Sequence, residues 1–315
     1  MWTYILRRIL VIPVLLLGIT ITVFFLVRMA PGDPVTAQYG IKLHEADPEK
    51  IEQLREKLGL NDPLHIQYIR YVSNLVQGDM GTSITSRLPV IEEIGSRFPA
   101  TLELALAAMV FSVIFSVPLG IIAGLNRGSW NDNLLMGGSL LGVSIPSYWL
   151  GIMLMLLFGL TLDWLPVIGR GEGPIWGRLD HLVLPAITLS TGLIGFNSRL
   201  MRSAILDVMS KDYIRTARGK GLASKFVIIR HMFPNALIAL VTVMGMQFAS
   251  LLGGAVLIET IFAWPGIGRL AVERVFRRDY PVIMGTVLVF AFTFMISSLV
   301  VDVIYSFLDP RIRYD

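Results

Sequence analysis

The 315-residue chain has no cysteine, which excludes disulfides, thiolate zinc sites and cysteine nucleophiles. Its four histidines, His44, His65, His181 and His231, are far apart, and no His-Glu-x-x-His pair is present. A P-loop is missing too: Gly219-Lys220-Gly221 lacks the hydroxyl residue and the preceding strand that a phosphate-cradling turn requires. Any ATP that drives this protein is therefore bound by another subunit. Gly142-Val143-Ser144 is no serine-protease site, because no histidine falls inside the apolar runs to act as base. Charge is also scarce. Only 16% of residues are charged against 54% hydrophobic, and the mean hydropathy is +0.66. Such values exclude an ordinary soluble domain and place most of the chain in lipid. The net charge of +4 fits basic residues retained on a cytoplasmic face and is not a nucleic-acid footprint.

What the chain does have is long apolar runs. A helix needs about 20 apolar residues to cross a hydrocarbon core of roughly 30 Å, and about six stretches qualify. They lie near residues 9–27, 101–125, 134–160, 182–200, 236–258 and 282–308. The expected fold is an all-α polytopic membrane protein. Arg7 and Arg8 precede the first run, which argues for a cytoplasmic N-terminus. No A-x-A site follows, so residues 1–29 are expected to persist as an anchor. Six crossings return the C-terminus to the same side, in agreement with Arg311 and Arg313 in a tail over 309–315. Arg269, Arg274, Arg277 and Arg278 weigh against that orientation and are only partly balanced by Glu259, Glu273 and Asp279.

Residues 30–99 form a hydrophilic region, expected to be a small extracytoplasmic helical insertion. Asp47-Pro48 supplies an N-cap and a first-turn proline, Ile51, Leu54 and Leu58 share a face, and Gly59 ends the helix. Asp62-Pro63 repeats the arrangement, with Ile66, Ile69 and Val76 on the packing side and Gly78 as the stop. The core over 100–308 carries small residues four apart: Gly120 and Gly124, Gly138 and Gly142, and Gly245, Ala249 and Gly253. Such pairs let helix backbones approach closely. Pro118, Pro146 and Pro185 can bend their spans. Ser144, Pro146, Ser147, Tyr148 and Trp149 interrupt the third run and either line a conduit or fill a helix contact. An ionisable group inside a span costs roughly 2.5–3.5 kcal/mol. Asp302, in the last run, either pairs with a neighbouring arginine or meets substrate. Glu103 sits near the outer end of the second run, and Asn197 and Gln247 are polar at depth. Trp264 suits the headgroup layer, and Pro265-Gly266 a tight turn.

The most informative stretch is 212–234, DYIRTARGKGLASKFVIIRHMFP, short, basic and amphipathic between two apolar runs. Tyr213, Ile214, Ala217 and Leu222 form an apolar edge, and Arg215, Arg218, Lys220 and Lys225 supply the rest. Gly221 allows a sharp change of direction and Pro234 opens the next span. Two short helices joined at Gly221 and laid along the membrane face are expected. Basic charge alone would describe only a cytoplasmic loop, but the spacing says more. Arg215-Thr216-Ala217, Gly221 four positions after Ala217, and Pro234 thirteen positions after Gly221 resemble the coupling motif of ABC-importer permeases. That motif reads Glu-Ala-Ala, three residues, Gly, nine residues, Ile, one residue, Leu-Pro. Here Arg215 and Thr216 replace Glu-Ala, His231 replaces Ile and Phe233 replaces Leu. The variant, with Lys220-Gly221, is similar to the dipeptide, oligopeptide and nickel branch. Ala30-Pro-Gly-Asp-Pro34, the stretch 259–270, Arg278-Asp-Tyr-Pro281 and Leu308-Asp-Pro-Arg311 extend the resemblance along the whole chain.

The resemblance implies the first permease subunit of such an importer, with a type I transmembrane fold and no enzyme activity or cofactor of its own. It implies a second related permease, two cytosolic ATPases holding ATP and Mg, and an external substrate-binding protein. The location implied is the cell inner membrane, with both termini cytoplasmic. Within a cytoplasmic segment over 210–234, the resemblance assigns ATPase coupling to Asp212, Tyr213, Arg215, Thr216, Ala217, Arg218, Gly221, Leu222, His231 and Pro234. Ser144, Pro146, Ser147, Tyr148, Asn197, Gln247 and Asp302 are the pathway candidates. Peptides are the expected substrate, with nickel, glutathione and oligosaccharide as alternatives. The competing class is an ion-coupled secondary transporter or channel, although no internal repeat supports it.

Overall fold

The computed structural model describes residues 2–29, 52–53, 55–56 and 59–308. The motif at 30–34, most of the helix expected after Pro48, and the tail at 309–315 lie outside the described residues. The helices are α1 (Trp2–Met29), α2 (Leu64–Val76), α3 (Val90–Leu125), α4 (Trp130–Ser144), α5 (Ser147–Leu154, continued by a π-helical stretch Met155–Thr161), α6 (Leu179–Met209), α7 (Asp212–Gly219), α8 (Ser224–Val227), α9 (Phe233–Gly254), α10 (Val256–Ile261), α11 (Ile267–Phe276) and α12 (Tyr280–Leu308). Among the described residues, strand pairing is limited to one isolated bridge, Thr82–Pro89.

Five segments are long and apolar enough to cross a membrane: Leu6–Met29, Val90–Leu125, Trp176–Met209, Ser224–Gly253 and Tyr280–Val303. The third expected run is a broken pair, α4 and α5 with its continuation, bent by 99°. Pro146 explains the break. The residue before a proline is pushed out of the helical region, and Ile145 sits at φ −75°, ψ 125°. Ser144 Oγ meanwhile donates to the Leu140 carbonyl at 2.9 Å. By contrast, α3 and α6 continue through Pro118 and Pro185. The second span also begins earlier than expected, at Val90.

The chain divides into two units, described separately. One comprises 102–264 with 294–315, and α6 is its central element. A Cβ on Gly120 of α3 would lie 2.5 Å from Met201 Cβ and 2.6 Å from the Ser198 carbonyl oxygen; one on Gly124 would lie 2.8 Å from Ile205 Cγ2. Likewise Gly195 of α6 approaches the Ser139 carbonyl of α4, and Gly245 of α9 approaches Val301 of α12. These are the close backbone approaches that small residues permit in lipid. Gly138 and Gly253 meet nothing within 4 Å, so the small-residue pattern overstates the contacts. Trp264, expected in the headgroup layer, is wholly buried. The chain turns before it: Ala263 adopts φ +49°, and the Trp264 N–H donates to the Glu259 carbonyl at 2.8 Å. Gly266 is accordingly extended at the start of α11, rather than part of a tight turn.

The other unit comprises 2–101 with 265–293. Here α2 has the expected bounds but packs through the other face. Ile66, Ile69 and Val76 are exposed, whereas Tyr68 and Tyr71 meet the buried Phe24 ring of α1 at 5.4 and 6.1 Å. Gln67 accepts from Arg28 and donates to the Leu60 and Asp62 carbonyls. Aromatic stacking plus a satisfied amide outweighs the aliphatic stripe, and burial pushes the Tyr71 hydroxyl up to about 12.

In the same unit two of the four arginines that weighed against the expected orientation, Arg269 and Arg274, have acidic partners. Arg269 pairs with Glu273 at 2.8 Å, and Arg274 pairs with Glu93 and stands 4.0 Å from Asp279. Asp279 is fully buried and accepts from Ser83 Oγ at 2.6 Å and from the Ile84 and Thr85 N–H groups at 3.1 Å. It clamps the bridge-closed turn to the start of α12. Replacing Asp279 with Ala leaves those donors unmatched while Arg274 keeps Glu93, and is expected to cost about 1–3 kcal/mol. Thermal unfolding in detergent checks this; an unchanged midpoint would show that the clamp is dispensable.

Candidate functional site

After α6, only Ser210 and Lys211 precede α7. The two faces of α7 have different surroundings. Ile214 and Ala217 are buried with Met201, Ile205 and Val208 of α6 and with Val227, Met232, Ala236 and Leu240 on the approach to α9 and within it. Asp212, Tyr213, Arg215, Thr216 and Arg218 are exposed. The expected apolar edge is thus split: Ile214 and Ala217 anchor the helix, and Tyr213 and Leu222 face outward. Thr216 Oγ1 donates to the Asp212 carbonyl at 3.0 Å. Arg215 stands 3.8 Å from Asp212, but both side chains are more than 85% exposed, so the pair adds little. Gly221 has φ +77°, a conformation that glycine adopts without the Cβ penalty.

Beyond Gly221 the structure departs from two helices laid on the membrane face. Here α8 runs through a π-helical stretch, Ile228–Met232, directly into α9, and Ser224–Gly253 is one crossing segment. The second short helix is the opening of a span. A proline removes an N–H and crowds the preceding turn, and the wider π turn just before Pro234 accommodates it. Phe226 and Ile229 are exposed on this stretch. The Arg230 guanidinium lies 5.8 Å from the Phe226 ring centroid, and the His231 ring meets the same ring edge-on at 6.1 Å. Ala223, Lys225, Phe226, Ile229, Arg230 and Pro234 line a groove of about 560 Å³. Phe226 and Ile229 were not among the residues expected here. Their signal was one apolar helix face, three residues apart, flanked by Lys225 and Arg230.

The pathway candidates do not form one site. Asn197 is fully buried; its amide donates to Ser112 Oγ at 3.0 Å and to Gln247 Oε1 at 2.9 Å, and Gln247 donates back at 3.1 Å. This clasp ties α3, α6 and α9 together. Ser144, Pro146, Ser147 and Tyr148 are exposed at the α4–α5 break, and Asp302 is partly buried on α12. A separate groove of about 580 Å³ between α3, α9 and α12 is lined mainly by hydrocarbon, including Met109, Val113, Met244 and Phe248; such walls suit apolar rather than polar ligands.

At the start of α6, the end away from α7, Glu103 of α3 holds two arginines. Arg170 Nε donates to it at 2.8 Å, and Arg178 Nε and Nη2 donate at 3.2 Å. Gly171, at φ +72°, lets the loop close on His181 and Arg178, where a Cβ would lie 2.7 Å from His181 Cδ2. Within this unit α6 is about 47 Å long, from 31 residues at about 1.5 Å each. The charged cluster and α7 therefore stand at opposite ends of a membrane-crossing helix.

Comparison with known proteins agrees with this arrangement. Residues 116–314 match the family model for the binding-protein-dependent transport system inner membrane component, and residues 1–105 match that for its N-terminal part. The chain is 44% identical over 315 residues, all of both chains, to the glutathione transport system permease protein GsiC of Salmonella paratyphi A. The same figures hold for GsiC of Escherichia coli strain K12. It also resembles a chain of the inward-facing MetNI methionine ABC transporter, with a TM-score of 0.58 at 16% identity, covering 70% of this chain and 97% of that one; that likeness supports the fold alone. An ion-coupled transporter is set aside by these matches. The chain belongs to the binding-protein-dependent transport system inner membrane component family, as a multi-pass permease subunit of an ABC importer and not its ATPase.

Proposed function

We propose that this permease forms half of a translocation pathway for small peptides and takes its drive from cytosolic ATPases docked on 212–234. The observation that carries this reading is the two-sidedness of α7. Its inner face is locked to α6 and α9 through Ile214 and Ala217, and its outer face presents Tyr213, Arg215 and Arg218 beside the Phe226–Ile229 groove. A partner pressing on that face moves two spans at once, a helix-in-groove contact of known kind. The full importer comprises a second, related permease, two ATPases carrying ATP and Mg, and an external binding protein. Both termini are assigned to the cytoplasm, as is the 212–234 segment, and the Glu103 cluster faces outward toward the binding protein. Transport is then a change of access with no covalent step in this chain.

Peptide is the substrate class because the relatives named above are glutathione permeases, and glutathione is a small γ-linked peptide. Uptake of labelled glutathione and of a labelled dipeptide, each competed by the other and by nickel, tests the assignment in cells carrying the whole importer. Saturable uptake of either peptide that depends on this chain is expected. Uptake of nickel alone, or of an oligosaccharide alone, would overturn the substrate class and leave the permease assignment standing.

A further inference from the structure

Toward the end of α6 next to α7, an ion pair between a buried carboxylate and a half-buried guanidinium joins α6 to α4. Arg202 donates to Asp132 through Nε at 2.6 Å and through Nη2 at 2.7 Å, and Asp132 is 2% exposed. The same carboxylate accepts the Gly128 N–H at 2.9 Å, and the Asp132 N–H is capped by Ser129 Oγ at 3.2 Å. One side chain thus fixes the α3–α4 turn, the start of α4 and the last turns of α6. Further along, Ser139 and Ser198 hydroxyls meet at 2.7 Å, and Gly195 leaves no space above the Ser139 carbonyl. Apolar packing alone lets neighbouring helices slide, whereas a planar guanidinium fork on a carboxylate sets both distance and angle.

We propose that Asp132 and Arg202 are positioning residues for energy coupling. Their bidentate pair makes α4 travel with α6 and α7, so that a displacement of α7 reaches the 99° break at Ile145–Pro146. This inference rests on α7 being the ATPase dock. In the chain's own geometry, α7 is bound to α6 by Ile214 against Ile205 and Met201, and α6 is bound to α4 by this pair. The route from dock to break is therefore continuous, with the pair as its only bidentate ionic link among the described residues.

The test uses the whole importer in liposomes, with substrate taken up per ATP hydrolysed as the readout. Asp132→Asn and Arg202→Gln are each expected to lower that ratio about tenfold, the scale of a typical coupling free energy. The exchanged double variant Asp132→Arg/Arg202→Asp is expected to recover much of the loss. An unchanged ratio in both single variants, or an exchange no better than either, overturns the proposal. A second measurement does not depend on that pair. The chain has no cysteine, and the Ser139 and Ser198 oxygens are near enough for Ser139→Cys/Ser198→Cys to close a disulfide. Oxidation should leave the otherwise native importer active and restore coupling in the Asp132→Asn background. Arrest of the otherwise native importer on oxidation, reversed by reduction, would show that α4 slides on α6 and overturn the strut. The docking reading fails by a different result, unchanged uptake when Arg215 and Arg218 are reversed.

Discussion

Uptake by the assembled importer is expected to fall about tenfold or more when Arg215 and Arg218 are both changed to Glu, because misplaced like or unpaired charge at a docking face weakens association strongly. Both side chains are exposed, and neither belongs to the buried cluster that holds α7. The substitution moves the formal charge at these two positions from +2 to −2 without touching Ile214 or Ala217. Surface changes of this kind alter the folded chain's stability by about 0.5 kcal/mol or less. The expected pattern is therefore a normally inserted permease that no longer retains ATPase subunits on purification. Affinity purification with mass spectrometry, alongside uptake, reads both quantities. Normal uptake with full ATPase retention would remove the docking role from this face.

The second large effect is expected from Gly120→Val, which should abolish accumulation of folded chain in the membrane. A Cβ at that position would lie 2.6 Å from the Ser198 carbonyl oxygen, a backbone atom, and 2.5 Å from Met201 Cβ. Backbone cannot yield as a flexible side chain can, so α3 must part from α6. Overpacking in a well-packed interior typically costs about 1–3 kcal/mol, and more where backbone is displaced. Separating α3 from α6 also disturbs the Asn197–Ser112 bond. The matched control is Gly138→Val, in α4, where nothing lies within 4 Å. It places the same side chain in another apolar helix without the clash, so the control should accumulate normally. Equal accumulation of both variants, measured by in-membrane fluorescence and detergent melting, would sink the α3–α6 contact.

Much of the architecture was legible from composition and spacing. Five of the expected runs are crossing segments, and the Asp62-Pro63 and Gly78 signals bound α2 correctly. Gly221 was recognisable as a turn because so few residues tolerate positive φ. The face of α2 was not legible. Ile66 and Ile69 looked like its packing stripe, but Phe24 lies far away in sequence and offers rings that Tyr68 and Tyr71 match better. Trp264 misled for a similar reason. An isolated tryptophan near a span end suits the interface, and only the turn at Ala263 sends it inward. Asn197 and Gln247 were singled out for polarity at depth; that they hydrogen-bond each other is a pairing no one-dimensional pattern can reveal.

By itself the sequence determined that the chain lives in a membrane, that it is built of helices, and that it presents a basic segment with coupling-motif spacing between two spans. Those conclusions rest on local quantities: apolar run length, charge density, and the backbone limits of glycine and proline. Tertiary structure alone decided which glycines are contacts, which arginines are paired, and that Ile214 and Ala217 face the core while Tyr213 and Arg215 face outward. It also decided that the stretch after Gly221 rises into a span instead of lying on the membrane. Each of these depends on what a distant segment places opposite the residue, as Ser198 does for Gly120 and Asp132 for Arg202. A residue's type states what it can do, but its partner across the bundle determines which of those things it does.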